Sequence, residues 1–566
     1  MNAALLALLV FAIFAAGYRF YAGHLSRRIF ALAEDEPVPS RVHEDGVDFV
    51  PTPRAILWGH HYTSIAGAAP IVGPAIAVIW GWLPALLWVG LGTVFMGAVH
   101  DFAALVISLR NRGRSIGEIA GTVISPRVRT LFLLIVSFLI WIVLAVFAYI
   151  IGTLFVLNPA SIFPINVQMV VAVALGWLIY RRGVPVLIPS LAGYAVLLGA
   201  VFLGADFAEA FPAITRIDVG TWVVALLVYS FVASVLPVWL LLQPRDYLNS
   251  HQLVTALALL SAGLLVLHPE VKAPAVQLHP PGAPPMIPFL FITIACGAIS
   301  GFHGLVSSGT TSKQVGCMTD ARPIGYGGML GEGTLGLLAV LAATAGFATT
   351  EAWHQHYASW SAASGLSAKL DAFVSGGGAF LASLGLPAEV SKTFMAVMVI
   401  AFAATSLDTG ARIQRLVIME LAEASEIPAL APLRNRYLAG AAGIAAALLL
   451  ALTQAEGRGG LILWPLFGTT NQLVAGVTLL VVSVWLKHQG RPYLYTLVPM
   501  LFVGAVTIGA MVGEVTGYYR HFGERWLLAL MGSVILLADL FILTEGLRLM
   551  ARDPAASPGS ARPAAG

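Results

Sequence analysis

The chain has 566 residues, 58% hydrophobic and 10% charged, with net charge +3 and a mean hydropathy of +0.86. That balance excludes a water-soluble globular protein, which needs more polar surface, and no basic–aromatic patch marks a nucleic-acid binder. The two cysteines, Cys296 and Cys317, fall in or beside one apolar segment and read as buried small side chains, not as a disulfide framework.

Windows of about 20 apolar residues, each long enough for a hydrocarbon core of about 30 Å, recur from end to end. Taken in order they give about 15 spans, roughly 2–22, 57–80, 84–109, 130–157, 167–180, 185–204, 219–241, 251–267, 286–308, 329–350, 393–421, 436–454, 462–486, 493–514 and 526–548. The first lacks a basic leader and a cleavage site, so it reads as a retained helix. The loop at about 351–391 carries Trp, Ser and a run of three glycines, with room for a short helix near Ala363–Val374. The tail from Asp553 is rich in Ala, Pro, Ser and Gly and is expected to be disordered.

Arginine and lysine orient this path. Alternate loops hold about 21 basic residues against 7 in the others, with Arg245 and Lys313 counted in the richer set. The richer set belongs in the cytoplasm. An odd number of spans then puts the N-terminus outside and the C-terminus inside.

Two apolar segments are interrupted by small and polar residues: Gly59–Pro74 (GHHYTSIAGAAPIVGP) and Ser300–Gln314 (SGFHGLVSSGTTSKQ). Breaking a helix frees backbone N–H and C=O groups that hydrocarbon cannot satisfy, so such breaks line cavities. The first broken segment runs from inside to outside and the second the other way. Each opens a set of five spans, which is the plan of an inverted-repeat transporter. The chain then divides into a first helix and loop (1–56), one repeat (57–204), two linking helices (205–285), a second repeat (286–486), two last helices (487–552) and the tail (553–566).

At these and four further motifs the chain resembles the carbon starvation protein A (CstA) family. The others are HDFAALVISLRNRGRSIGE (His100–Glu118), YGGMLGEG (Tyr326–Gly333), TSLDTGARIQR (Thr405–Arg415) and WPLFGTTNQL (Trp464–Leu473). The family usually has Gln where this chain has His100. The resemblance implies a cytoplasmic-membrane secondary transporter with a LeuT-like arrangement of five plus five helices and peripheral helices. It also implies uptake of peptides or of pyruvate, the latter with protons, in carbon starvation, and no enzyme activity. A sodium-coupled importer and a nutrient sensor that moves nothing are the alternatives; the short tail speaks against the sensor.

The residues give the chemistry to look for. Gly59, Gly67, Gly73 and Pro74 permit unwinding, and half-helix ends suit a substrate carboxylate. His60 and His61 titrate near neutrality and suit proton coupling or anion recognition; hydrogen-bonded interfacial histidines are the alternative. Ser64, Gly67, His303, Ser307, Ser308 and Thr311 extend a substrate site across both breaks, and Asn471 and Gln472 offer amides to a ligand or to a neighbouring helix. Intramembrane carboxylates are costly and point to function. Asp408 is the first candidate for the coupling ion, with an ion pair to Arg412 at i+4 as its alternative, and Glu332 is the second. By the resemblance, Thr405, Ser406 and Asp408 match the eighth-helix side of the fold's cation site. Asp101 lies near Arg110, Arg112 and Arg114 and reads as a salt-bridged cytoplasmic gate together with Lys313 and Arg412. No Walker A or HExxH pattern occurs. No metal or other cofactor is implied, and the coupling ion is a proton first and sodium second. The partners expected are a small-molecule substrate and the bilayer.

Overall fold

The computed structural model describes residues 1–425 and 427–552; the tail from Asp553 lies outside the described residues. The described chain is helical, and its only extended pairings are two isolated bridges, Asn2 with Glu270 and Thr52 with Val315. Eleven helices are long and apolar enough to cross a bilayer, or twelve if the bent pair Arg54–Ile65 and Ala69–Trp80 is one span. Val219–Val235 and Arg436–Ala451 are shorter apolar helices. The segment at 286–308 forms two short pieces, Met286–Thr293 and Gly301–Gly309.

Ends follow local chemistry. Ser125 accepts from Val128 N and Pro126 opens the Pro126–Leu157 helix, where a missing N–H costs nothing. Gly183 ends Ile162–Arg182 in the left-handed region, which glycine adopts without strain.

Burial separates centre from rim. The apolar stretch of Gly460–His488 is wholly enclosed, and those of Pro126–Leu157, Met318–Ala345 and Ala388–Ala424 are mostly so, whereas Ala3–Ile29 and the last two helices are largely exposed to the surroundings. Glycines allow the central backbones to touch. A Cβ on Gly73 would sit 2.3 Å from the Thr293 carbonyl oxygen, and one on Gly97 would sit 2.2 Å from that of Ala298. Gly73 presses the first broken helix onto the end of Met286–Thr293, and Gly97 presses the Trp82–Arg110 helix onto the non-helical stretch that follows it.

The loop at 351–391 is more ordered than its composition suggests. It forms Thr350–His356, Trp360–Ala363 and Leu366–Ala382, and its glycine run lies inside the last of these. There Gly376 meets the Ala342 carbonyl, where a Cβ would be 2.3 Å away. The glycines serve close packing and do not loosen the chain.

Candidate functional site

The first broken segment unwinds only at 66–68, with a bend of 45°. Ala66 leaves helical geometry (ψ 62°). Gly67 is at the break; a Cβ there would meet Ser406 Oγ at 2.6 Å. Gly59 and Gly73 lie within the two half-helices, so, contrary to the sequence expectation, they serve close approach and not unwinding.

His60 and His61, both fully buried, are adjacent on a helix and so diverge by about 100°. Each joins a different charge cluster. His61 Nδ1 bonds Thr311 Oγ1 at 2.9 Å, linking the two broken segments. Beside it, in the second half-helix, His303 Nδ1 lies 3.0 Å from Asp101 Oδ2 and His303 Nε2 lies 3.1 Å from Glu332 Oε2. The second approach is an ion-pair distance without hydrogen-bond geometry, so both Glu332 oxygens remain without a hydrogen-bond partner, like Nε2 of His61 and of His100 and the Tyr62 hydroxyl. His100 Nδ1 holds the other Asp101 oxygen at 2.8 Å. Asp101 thus sits between two imidazoles and is fully buried. Its expected pairing with Arg110, Arg112 and Arg114 does not occur: Arg110 binds Glu36 at 2.8 Å. Glu332, placed by hydropathy near a span end, is also fully buried, because the helix starts further back, through Arg322–Tyr326.

The second cluster centres on Arg245, a residue the charge count assigned to a cytoplasmic loop. It lies inside Leu242–Leu267 and is 1% exposed. Arg245 Nη1 is in direct contact with Asp408 Oδ2, and Nη2 donates to Asp246 Oδ1 at 2.7 Å. Asp408 also accepts from Tyr229 at 2.7 Å and Ser230 at 3.1 Å. Asp246 accepts from Thr405 at 3.3 Å, and His60 Nδ1 lies 2.6 Å from its other oxygen. The Asp408–Arg412 pair is therefore not formed. Arg245, Asp246, Tyr229 and Ser230 were missed by sequence reasoning. The available signal was an Arg–Asp pair amid Gln243, Asn249, Ser250, His251 and Gln252 at the start of a segment whose second half is apolar.

The hydroxyls sort between the two breaks. Ser64 Oγ meets Thr409 Oγ1 at 3.1 Å, and Ser406 donates to Ser64 O at 3.0 Å, so this face caps the end of the first half-helix. Ser308 donates to Gly304 O at 2.7 Å, while the buried Ser307 hydroxyl has no hydrogen-bond partner. Asn471 Oδ1 accepts from Phe302 N at 2.9 Å, and Gln472 Nε2 donates to Phe291 O at 2.6 Å. These two amides satisfy backbone freed by the second break. Among the described residues, no group of three or more His, Cys, Asp or Glu side chains could hold a metal ion.

At the end of the molecule holding Lys313, residues 48–52 form a strap tied to the second broken segment and to two buried arginines. Val50 N and Thr52 N donate to Lys313 O and Gln314 O at 3.2 and 3.0 Å, and Lys313 Nζ lies 5.4 Å from the centre of the Phe49 ring. Arg412 and Arg415, both 1% exposed, converge on Asp48 at 2.5 and 2.9 Å. Burial alone would raise the Asp48 carboxyl, but Arg412, Arg415 and Lys313 outweigh it and hold the group well below the usual carboxylate range. With a depressed folded pKa, the strap's contribution is complete above the unfolded carboxylate value and is lost only as pH falls through the lower folded one. Asp48→Asn leaves two buried guanidinium groups uncompensated and is expected to cost roughly 3–5 kcal/mol. A lowered thermal midpoint and faster maleimide labelling of a cysteine placed at Ser312 would report it; unchanged labelling would contradict the strap.

At the opposite end a cavity of about 780 Å³ opens between the second half of the first broken helix, the first piece of the second, and the Trp360–Leu366 turn. Cys296 lines its floor. The Cys296 thiol accepts from Asn471 Nδ2 at 3.4 Å and donates to Ser300 Oγ at 3.5 Å; Ser300 precedes the half-helix that carries His303.

Two broken helices and a buried charge network lie among the spans of a multi-pass membrane protein, and its relatives place it among transporters. A family model described as carbon starvation protein CstA matches residues 2–353 and 345–510, and the chain belongs to that family. The peptide transporter CstA of Bacillus subtilis is 33% identical over 537 residues, 89% of each chain. The peptide transporter CstA of Campylobacter jejuni is 32% identical over 563 residues, 89% of this chain and 79% of that one. The pyruvate/proton symporter BtsT of Escherichia coli is 39% identical over 343 residues, 59% of this chain and 48% of that one. Among solved structures, a manganese transporter of Eremococcus coleocola aligns at TM-score 0.47 and 12% identity, over 89% of this chain and 99% of that one. The chain's relatives are transporters and not enzymes.

Proposed function

We propose that the protein imports a small carboxylate-bearing nutrient, a peptide or pyruvate, across the cytoplasmic membrane by proton symport during carbon starvation. The carrying observation is His303. It sits on a half-helix of the second break, fully buried, against Asp101 and Glu332. A proton added to that cluster alters the charge balance between the two halves, which is what a coupling ion must do to favour one state over another. The cavity end is outside and the strapped end is cytoplasmic, with the N-terminus outside, as the basic residues suggest.

The pairing of helices supports a LeuT-like inverted repeat of five plus five. The broken segments touch each other, the Trp82–Arg110 helix packs on Met318–Ala345, and Pro126–Leu157 packs on Ala388–Ala424. First meets first, second meets second and third meets third.

One observation favours sodium as a second reading. Ser64 O, Ser64 Oγ, Ser406 Oγ and Thr409 Oγ1 converge beside the first break, and hard oxygens of this kind suit a hard cation. Proteoliposomes loaded to give a pH gradient alone, or a sodium gradient alone, distinguish the two. Labelled dipeptide or pyruvate should accumulate with the first and not the second, and an uncoupler should abolish it. Accumulation with sodium alone would replace the proton reading.

A further inference from the structure

The cavity at the open end carries three ionisable side chains outside both clusters: Lys369, Glu514 and Arg525. They come from three separate helices, Leu366–Ala382, Leu494–Arg520 and Phe522–Ala551. Among the described residues neither Lys369 nor Arg525 pairs with a carboxylate, and no charged neighbour acts on Lys369. Glu514 accepts one hydrogen bond, from Thr469 Oγ1 at 3.0 Å, and has no cationic partner. One acidic and two basic side chains that share a cavity without pairing to each other remain free to pair with a ligand. The wall between them is aromatic. Trp464 and Phe467 stack with ring centres 4.6 Å apart, and Phe289 and Trp360 complete the lining. A volume of about 780 Å³ is large for a three-carbon acid and falls in the range of roughly 300–1,000 Å³ usual for larger ligands.

Resting on the importer reading above, we propose that this vestibule recognises both charged ends of a short zwitterionic peptide. Lys369 and Arg525 take its carboxylate, Glu514 takes its ammonium, and the aromatic wall takes its side chains. The site selects the substrate before it reaches His303. Pyruvate, with a carboxylate and no ammonium, would use only the basic half.

Binding to purified protein in detergent, with no gradient present, tests this. The probes are labelled alanyl-alanine and, as competitors, its N-acetyl and C-amide derivatives. A charge-assisted hydrogen bond lost at either end should weaken binding about tenfold or more. Glu514→Gln should erase the preference for the free amine, and Lys369→Met with Arg525→Met should erase that for the free carboxylate. Capped and free peptides binding equally to the wild type, or no binding of alanyl-alanine at all, would overturn the proposal without recourse to variants that fold poorly. Discrimination between ends without gradient-driven uptake would sink the importer reading and leave the vestibule standing. Uptake without discrimination would do the reverse.

Discussion

Glu332→Gln is expected to leave a protein that folds and exchanges substrate but no longer accumulates it. A one-unit pH gradient supplies about 1.36 kcal/mol per proton, enough for about tenfold accumulation at one proton per substrate. The wild type should reach that ratio, and the variant should stop near one. The amide keeps the shape of the side chain, so its effect on packing is small, but it cannot release a proton to His303, whose Nε2 lies 3.1 Å from Glu332. Counterflow with substrate on both sides should persist, because it needs alternation of the loaded carrier and no net proton movement. Loss of counterflow together with accumulation would mean that Glu332 holds the structure or the substrate and not the coupling proton.

Asp408→Asn has a different expected outcome. Asp408 was the first coupling candidate from sequence, but it is held by Arg245, Tyr229 and Ser230 at once. Its charge is a fixed counter-ion to a buried guanidinium. Removing one partner of such a pair costs roughly 3–5 kcal/mol, whereas replacing both by apolar groups can be neutral. The thermal midpoint of Asp408→Asn should therefore fall, with Asp246 left as the remaining counter-ion of Arg245, and that of Arg245→Met should fall further because it strands both Asp408 and Asp246. The surviving Asp408→Asn protein should keep its proton-driven accumulation. Wild-type stability with accumulation lost would return Asp408 to the coupling role.

The difference between these two carboxylates shows what the sequence could and could not say. Hydropathy located the helices, because apolar length is a local property, and the two broken segments stood out because Gly, Ser and Thr interrupt otherwise apolar runs. The location of unwinding was less legible. Gly59, Gly67, Gly73 and Pro74 looked alike, yet only Gly67 lies at the break; Gly73 answers to Thr293, a backbone neighbour the sequence does not reveal. Pairing was the least legible. The i+4 rule offered Arg412 to Asp408, but the true partners are 163 residues away for Asp408 and 364 away for Arg412. The partners of Asp101 follow the same pattern: the arginines near it in the chain do not pair with it, while His303 reaches it from 202 residues away. Arg245 shows a related failure. Counting basic residues by loop assumes they lie in loops, and a buried arginine at the start of a long helix carries no orientation information.

In the proposed mechanism, substrate entry carries protons through the His303–Glu332–Asp101 cluster. Proteoliposomes with a trapped pH-sensitive dye test it most directly. Adding alanyl-alanine or pyruvate outside, with no imposed gradient, should acidify the interior of vesicles bearing the wild type and leave those bearing Glu332→Gln unchanged. Substrate entry in wild-type vesicles without acidification, or acidification equal in the Glu332→Gln vesicles, would contradict the claim.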